Sequence, residues 1–286
     1  MQLLDGKALS LEIEAKVKEE VMILTSSRGV TPGLAVILVG SDPASQAYVN
    51  MKAKACKRAG IYSITHEMPE STTESQLLNA ISILNHDPNI DGILVQLPLP
   101  KHINTAKVLE AIAPHKDVDG FHPQNVGRLT SNLGGFAPAT PMGVMRLLQK
   151  YGIDPQGKNA VIVGASNIVG KPMASLLLNA NATTTLCHIY TKDLASHTQN
   201  ADILCVGVGK PNLITESMVK KGAVVIDIGI NRLEDGSLVG DVDFASVAPK
   251  CSYITPVPGG VGPMTIASLL ENTLKAAKTR QETPQS

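Results

Sequence analysis

The segment KNAVIVGASNIVGKPM at residues 158–173 constrains the fold more than any other stretch of the chain. Residues 159–163 form a short, continuous apolar run, which is typical of a strand that is buried on both faces of a parallel sheet. Gly164 ends this run, and we expect a helix to begin within residues 166–170. A strand, a glycine turn and a helix N-terminus point backbone N–H groups at one place, which suits the pyrophosphate of a dinucleotide.

The small residues of this turn leave two interpretations open. The turn carries Gly164, Ser166 and Gly170, whereas the usual dinucleotide fingerprint is G-x-G-x-x-G. The segment is therefore either a dinucleotide site or an ordinary strand–helix corner in which small residues let the helix pack closely.

The residues that follow favour the dinucleotide interpretation. Further apolar strands and helical segments alternate along the chain, with strands predicted at 183–189, 203–208 and 223–228 and helical segments at 173–179 and 216–220. This alternation implies βαβ crossovers and a parallel sheet, in which ligands bind at the carboxyl ends of the strands. We predict a Rossmann-like, doubly wound sheet in the second half of the chain, with Gly207 at its ligand-binding edge.

The first half of the chain also alternates between helices and strands. Helices are predicted at 9–26, 45–59 and 73–85, and strands at 33–39, 61–68 and 90–97. A Gly- and Pro-rich hinge is predicted at 132–141, and helices follow at 143–151 and 265–278. The sequence thus predicts two α/β domains with a cleft between them. The first comprises residues 1–141 with the C-terminal segment 265–286, and the second comprises residues 142–264.

Composition excludes several classes of function. The chain has 286 residues, of which 43% are hydrophobic, and its formal net charge is zero. A neutral chain without a basic run, and with few aromatic residues, argues against nucleic acid as a partner. No apolar run is long enough for a membrane span, and we expect no secretion signal at the start. The scattered cysteines indicate reduced, buried thiols in the cytoplasm, and the histidine spacing predicts no metal site.

Four polar residues of the first half are candidates for chemistry. Tyr48 and Lys52 are four residues apart and share one face of a predicted helix, where a buried lysine could have the lowered pKa that proton transfer needs. The alternative is a surface lysine beside a packed tyrosine. Gln96, at the end of a predicted strand, is either a surface group or a placed hydrogen-bonding group. Asp119 is either a local turn residue or a carboxylate that binds an N–H/NH₂ pair of a heterocycle.

These residues lie in segments that resemble the bifunctional methylenetetrahydrofolate dehydrogenase/methenyltetrahydrofolate cyclohydrolase family. The matching segments are YVNMKAKACKRAGI at 48–61, DGILVQLPLP at 91–100, KDVDGFHPQNVGRL at 116–129, GASNIVGKPM at 164–173, VIDIGINR at 225–232 and TPVPGGVGPMT at 255–265. They span nearly the whole chain in the family's order, and the last is highly specific. The resemblance implies an NADP-dependent homodimer that oxidises 5,10-methylenetetrahydrofolate to 5,10-methenyltetrahydrofolate. It then hydrolyses that product to 10-formyltetrahydrofolate.

The resemblance also implies a role for individual residues. Lys52 is the general acid/base, Tyr48 orients the folate, Gln96 tunes the lysine and Asp119 holds the pterin. The other substrate contacts are Leu97, Pro98, Pro258, Gly259 and Gly260. The implied dinucleotide contacts are Gly164, Ala165, Ser166, Ile168, Val169, His188, Thr191, Lys192, Gly207, Ile230 and Thr265. We expect the dimer surface at residues 225–244, which include a turn at Gly236.

The residues after the second strand of the nucleotide domain favour NADP over NAD. NAD enzymes place an acidic residue after this strand to bind the ribose hydroxyls. In this chain the first acidic residue after the predicted strand 183–189 is Asp193. His188, Thr191 and Lys192 could instead bind a 2′-phosphate. One departure acts against NADP, since many relatives have an arginine at the position of Ala165. Two other functions stay open: a different NADP dehydrogenase that resembles shikimate dehydrogenase, and a catalytically silent NADP- or folate-binding protein.

Overall fold

The computed structural model describes residues 1–280, which fall into two compact units. The six-stranded unit comprises Met1–Ser10, Leu129–Leu133 and Thr140–Thr265. The three-stranded unit comprises Leu11–Arg128, Gly134–Ala139 and the described residues from Ile266 onward. No helix of residues 1–280 is both long and apolar enough to cross a membrane.

The elements follow one another in a βα alternation along most of the chain. In chain order they are β1 (Gln2–Leu3), α1 (Gly6–Arg28), β2 (Gly33–Val39), α2 (Pro43–Ala59), β3 (Tyr62–Met68), α3 (Glu74–His86), β4 (Gly92–Val95), α4 (Thr105–Ala111), α5 (Pro123–Thr130), α6 (Ala139–Lys150), β5 (Asn159–Val163), α7 (Gly170–Asn179), β6 (Thr183–Cys187), α8 (Leu194–Thr198), β7 (Ile203–Val206), β8 (Val224–Asp227), β9 (Asn231–Arg232), β10 (Leu238–Val239), α9 (Phe244–Val247), β11 (Tyr253–Ile254) and α10 (Val261–Arg280).

The six-stranded unit is built on a parallel sheet with the order β6-β5-β7-β8-β11-β1. The strands β7 and β8 are buried at every position, because crossover helices cover both faces of such a sheet. The chain runs from β5 outward to β6 and then returns to β7 on the other side of β5, so the strand order reverses there. Ligands of doubly wound sheets bind at this switch point. The predicted Rossmann-like fold is confirmed.

The three-stranded unit has a smaller parallel sheet with the order β3-β2-β4. Its central strand β2 is buried along its whole length. The helix α2 begins after Asp42, whose carboxylate accepts the N–H of Ser45 at 2.8 Å, and ends at Gly60 in the left-handed conformation at φ 74°. Thr73 and Gln76 form a capping box at the start of α3. Both helices thus have caps made by residue types that favour these positions.

Several element bounds differ from the sequence-based prediction. Residues 216–220 form only the 3₁₀ turn Glu216–Met218, because the backbone is extended again at Val219. The helix α6 begins at Ala139, inside the predicted hinge, and α10 begins at Val261 rather than at residue 265. Proline is compatible with the first turn of a helix, where its missing N–H has no intrahelical partner, so Pro263 does not delay α10.

The compact units also bear on the expected domain limits. Residues 1–10 group with the six-stranded unit because β1 pairs with β11, whereas the prediction put residues 1–141 together. Residues 281–286 of the expected C-terminal segment lie outside the described residues. Cys56, Cys187, Cys205 and Cys251 are buried free thiols.

Candidate active site

Lys52 is buried in the three-stranded unit, with only 6% of its surface exposed. It lies on the face of α2 that also buries Val49 and Cys56, so the helix carries its side chain inward with the apolar residues. The Lys52 Nζ donates a hydrogen bond to Gln96 Oε1 at 3.0 Å and lies 5.2 Å from the centre of the Tyr48 ring. Burial lowers the pKa of Lys52 from its ordinary value, and the nearby Asp119 opposes this effect. The surface-lysine interpretation is therefore wrong.

Gln96 presents its amide oxygen to Lys52 because its other polar groups have partners. Its backbone N–H donates to Ile37 O at 2.8 Å, which extends the pairing beyond β4. Its Nε2 donates to Leu97 O at 2.8 Å, so Oε1 is directed at the lysine. Leu97 is half-buried and Pro98 is exposed next to it. A neutral amide oxygen binds both the charged and the neutral amine, and so it holds the lysine in place without fixing its charge.

Asp119 lies on a turn whose backbone is fixed from two sides. Gly120 follows it at φ 70°, where a Cβ would lie 2.7 Å from Ala137 C. On the other side, the N–H of His122 donates to the Asp117 carboxylate at 2.8 Å. Burial raises the pKa of Asp119 to about 6, although Lys52 lowers it. The lysine and the carboxylate thus each favour the ionised form of the other.

Two supporting residues were missed by sequence reasoning. Asp117 is 1% exposed and also accepts a hydrogen bond from Asn125 Nδ2 at 2.8 Å. Asn272, on α10, donates to Val118 O at 2.8 Å and to Ala137 O at 3.1 Å. Asn272 is remote in sequence from the turn that it supports, and the sequence carries no signal for that contact. Asp117 stands two residues before Asp119, and its signal was the Asp-x-Asp-Gly spacing.

Glycine is required at two positions of the predicted dinucleotide turn in the six-stranded unit. Gly164 follows β5 at φ 114°, and a Cβ there would overlap Gly207 O at the end of β7. A Cβ on Gly170 would overlap Gly164 O. The helix α7 therefore begins against the backbone of the turn, next to the switch point of the sheet. This close approach is what a pyrophosphate site at a helix N-terminus needs.

Ser166 is exposed and organises the turn at the position where the fingerprint has a second glycine. Its Oγ accepts hydrogen bonds from the N–H groups of Val169 at 3.1 Å and Gly170 at 3.4 Å. Its carbonyl accepts the N–H of Lys171 at 3.0 Å. Ala165, Ile168 and Val169 are half-buried around it. The serine thus closes the turn through its side chain, in place of the backbone freedom that glycine provides.

The polar groups at the end of β6 suit a ribose that carries a 2′-phosphate better than one with two free hydroxyls. His188 N–H donates to Thr191 Oγ1 at 2.9 Å, and Thr191 N–H donates to His188 O at 2.9 Å. Lys192 is exposed beside them. The nearest acid, Asp193, caps α8 by accepting the N–H of Ser196 at 3.3 Å. A carboxylate engaged in a helix cap leaves an imidazole, a hydroxyl and an ammonium group for an anion.

Other predicted contact residues lie on the loops after β8 and β11 and on α10. Ile230 is 50% exposed, and a Cβ on Gly262 would lie 3.4 Å from its Cδ1. Thr265 Oγ1 hydrogen-bonds to Thr140 Oγ1 at 2.9 Å. Pro258 is exposed, and next to it Gly259 adopts φ 105° and accepts the N–H of Lys7 at 2.9 Å. Gly260 is buried. Among residues 1–280, no group of three or more His, Cys, Asp or Glu side chains could hold a metal ion.

Comparison with known proteins agrees with this division into a lysine site and a nucleotide fold. The family model for the catalytic domain of tetrahydrofolate dehydrogenase/cyclohydrolase matches residues 4–119, and the model for its NAD(P)-binding domain matches residues 138–281. The bifunctional protein FolD of Helicobacter hepaticus is 67% identical over 99% of this chain and 98% of its own length.

Solved structures extend the likeness to the backbone. The crystal structure of the bifunctional FolD dehydrogenase/cyclohydrolase from Campylobacter jejuni has a TM-score of 0.96 and 59% identity, covering 98% of this chain and 99% of that one. The Trypanosoma brucei FolD, which was solved with NADP and an inhibitor, has a TM-score of 0.94 and 38% identity, covering 98% of both chains. The resemblance inferred from the sequence motifs is thereby confirmed. Because two family models match most of its length, the chain belongs to the tetrahydrofolate dehydrogenase/cyclohydrolase family.

Proposed function

We propose that Lys52 is the general acid/base in the chemistry that family membership gives this chain. The protein is a bifunctional enzyme of one-carbon folate metabolism. It oxidises 5,10-methylenetetrahydrofolate to 5,10-methenyltetrahydrofolate and hydrolyses the methenyl compound to 10-formyltetrahydrofolate. The observation that carries the role of Lys52 is its burial, with its Nζ held at 3.0 Å by a neutral amide oxygen of Gln96.

The oxidation step places a modest demand on the side chains. Hydride leaves a carbon that is flanked by two nitrogens, and a nitrogen lone pair stabilises the cation that results. The cofactor is NADP, which supplies the hydride acceptor and which the Trypanosoma brucei relative binds. No strong base is needed, so the protein's main contribution is to orient the folate. We assign that role to Tyr48, Leu97 and Pro98 on one side and to the Asp119 carboxylate at the pterin.

The hydrolysis step needs a group that moves protons. The oxygen of water bonds to the methenyl carbon, and Lys52 in its neutral form takes the proton that water releases. The bond from that carbon to N5 then breaks, N5 receives the proton that Lys52 took, and the added hydroxyl becomes the formyl carbonyl by releasing its proton to solvent. An ammonium beside the cationic methenyl carbon would be repelled, so a lysine whose pKa is lowered by burial suits this step. General base catalysis of this kind contributes about 10²–10⁴-fold.

Replacing Lys52 separates the two activities. We expect Lys52→Met to lower the hydrolysis rate by about 10²-fold or more, because no base remains, and to lower hydride transfer much less. The control is Lys54→Met, since Lys54 lies on the exposed side of the same helix. Absorbance of the methenyl compound follows its formation with NADP and its decay in separate assays. Equal retention of both activities in Lys52→Met would remove the lysine from the mechanism.

The nucleotide contacts that we propose lie in the six-stranded unit. Pyrophosphate binds at the turn of Gly164, Ala165 and Ser166, with Ile168, Val169 and Gly207 around it. The 2′-phosphate binds His188, Thr191 and Lys192, and Ile230 and Thr265 lie towards the nicotinamide. Pro258, Gly259 and Gly260 flank the folate. These assignments are supported by the close packing of Gly164 against Gly207 and by the lack of an acidic residue between the end of β6 and Asp193.

We further propose that the enzyme is a cytoplasmic homodimer. Of the domain limits expected from the sequence, 1–141 with 265–286 and 142–264, we keep the boundaries near residues 141 and 265 and assign residues 1–10 to the second domain. The hairpin of β9 and β10 pairs only with itself among the described strands, and a two-stranded hairpin is marginal by itself. It exposes Leu233, so residues 225–244 are a suitable dimer surface. A monomeric mass at micromolar concentration in sedimentation equilibrium would rule the dimer out.

The buried free thiols support a cytoplasmic location, which cell fractionation tests. The net charge of zero argues against nucleic acid as a partner.

A further inference from the structure

A single buried carboxylate fixes the loop that follows β7. Asp241 is fully buried, and its Oδ2 accepts the backbone N–H groups of Val208 at 2.6 Å and Gly209 at 3.0 Å. Its Oδ1 accepts the N–H of Lys210 at 2.9 Å and the side-chain Nδ2 of Asn231 at 2.8 Å. Three consecutive amides of one loop thus converge on one side chain. An ionised acceptor is suited to this, since hydrogen bonds to charged groups are stronger than neutral ones.

A second buried carboxylate holds Asp241 in place. Asp227, at the end of β8, accepts the N–H of Asp241 at 3.0 Å and of Val242 at 2.9 Å. It also accepts the N–H of Gly229 at 3.0 Å, and its own N–H donates to Thr255 Oγ1 at 2.7 Å. The hydrogen bonds therefore form a continuous chain from the end of β8, through Asp241, to the loop after β7.

Two glycines make room for this pair of carboxylates. A Cβ on Gly229 would overlap the Asp241 carboxylate, and a Cβ on Gly240 would overlap the Asp227 carboxylate. Neither glycine needs a left-handed backbone, because neither has a positive φ. Close approach of the carboxylates to the backbone is the reason that glycine is required. The two carboxylates and the adjoining backbone segments are thereby packed in direct contact.

The adjoining loops are those assigned to the dinucleotide. The loop after β7 begins at Gly207, whose carbonyl packs against Gly164 in the pyrophosphate turn. Asn231, which the same carboxylate holds, directly follows the exposed Ile230 on the other side. One side chain therefore sets the relative position of the loop after β7, at the switch point of the sheet, and the loop after the neighbouring strand β8.

We propose that Asp241, supported by Asp227, is a positioning residue for the dinucleotide: it holds the loop of residues 207–210 and Ile230 in the arrangement that receives NADP. This inference rests on the proposed nucleotide contacts of Gly207 and Ile230. It assigns no contact with the substrate to Asp241 itself, which acts only through the backbone and Asn231.

Exchange of Asp241 for asparagine tests the role. The carboxamide keeps one acceptor oxygen, while its NH₂ group faces backbone donors, so at least two of the four hydrogen bonds are lost. We expect Asp241→Asn to raise the KM for NADP by about 10-fold or more, since loss of these bonds lets the loop move. The rate of hydrolysis of 5,10-methenyltetrahydrofolate, assayed without NADP, should stay within about threefold of the wild-type rate, because the lysine site is elsewhere in the chain.

The control is Asp202→Asn in the same unit. Asp202 stands just before β7 and also accepts a backbone N–H, that of Asn159 at 2.9 Å, together with Lys220 Nζ at 2.6 Å. Its loss should lower the melting temperature without raising the KM for NADP. If Asp241→Asn raises that KM no more than Asp202→Asn does, the proposal is wrong.

A second variant decides the matter if Asp241→Asn does not fold. Asn231→Ala removes one donor from the Asp241 carboxylate and should raise the KM for NADP a few-fold, with hydrolysis unchanged. An unchanged KM for NADP in this variant would overturn the proposal. Failure of the proposed function has a different signature, because the unchanged protein would then not reduce NADP with 5,10-methylenetetrahydrofolate at all.

Discussion

At the scale of single residues, the site is defined by two ionisable groups whose pKa values move towards each other. Burial lowers the pKa of Lys52 and raises the pKa of Asp119 to about 6. Each group partly offsets the shift of the other, since opposite charges favour both ionised forms. Two titratable groups with opposite shifts in one place are typical of functional sites, where acid and base roles are set by environment.

The raised pKa of Asp119 predicts how folate binding depends on pH. A carboxylate accepts an N–H/NH₂ pair only when ionised, and below a pKa of about 6 the ionised fraction of Asp119 falls about tenfold for each pH unit. We expect the Kd for tetrahydrofolate to be constant from pH 8 to 7 and to rise below pH 6, as measured by titration calorimetry. Affinity for NADP should not follow this profile.

Two variants of Asp119 complete this experiment. Asp119→Asn should give a profile without the rise below pH 6, and Asp119→Ala should weaken folate binding without weakening NADP binding. A flat profile in the unchanged protein, or a loss confined to NADP in the alanine variant, would contradict the assignment.

At the scale of elements, the sequence predicted the alternation of strands and helices and the position of the glycine turn between β5 and α7. Apolar runs that end in glycine, such as β5 before Gly164, carry both signals locally. Pro and Gly content led to a late start for α10 and to a hinge where α6 already begins. Asp241 and Asn272 could not be identified, because their hydrogen bonds join segments that are remote in sequence.

The start of α7 gives a prediction at this scale. Gly170→Ala should destabilise the protein by about 1–3 kcal/mol and abolish NADP binding, because the added Cβ overlaps Gly164 O and forces the helix away from the turn. The matched control is Gly127→Ala in α5, where a Cβ meets nothing within 4 Å. That exchange should be neutral or stabilise by up to about 1 kcal/mol, as alanine favours a helix over glycine. Urea unfolding and calorimetry with NADP distinguish the two variants.

At the scale of the whole molecule, two different α/β units carry the family's two signatures. The sequence predicted that there are two α/β units and which motifs belong to each. It did not predict that residues 1–10 complete the sheet of the six-stranded unit, because β1 is only two residues long and pairs with β11. A strand of that length has no periodicity to detect.

Cofactor preference can be measured on the intact enzyme through its stability. A ligand that binds only the folded state stabilises it by about 2.7 kcal/mol at 100 times its Kd. We propose that the groups at the end of β6 bind the 2′-phosphate, and on that basis NADP should raise the melting temperature at concentrations where NAD has no effect. Lys192→Glu should reduce this difference, and Lys158→Glu, before β5, serves as the control. Equal shifts with both nucleotides would show that the end of β6 does not discriminate.

The pairing of β1 with β11 has a consequence for biosynthesis. Gln2 is matched with Tyr253, so about 250 residues are translated between one strand of this pair and the other. At typical translation rates this delay is on the order of tens of seconds. Until β11 has been translated, the backbone N–H and C=O groups of β1 have no partner strand, so this edge of the six-stranded sheet cannot be completed earlier.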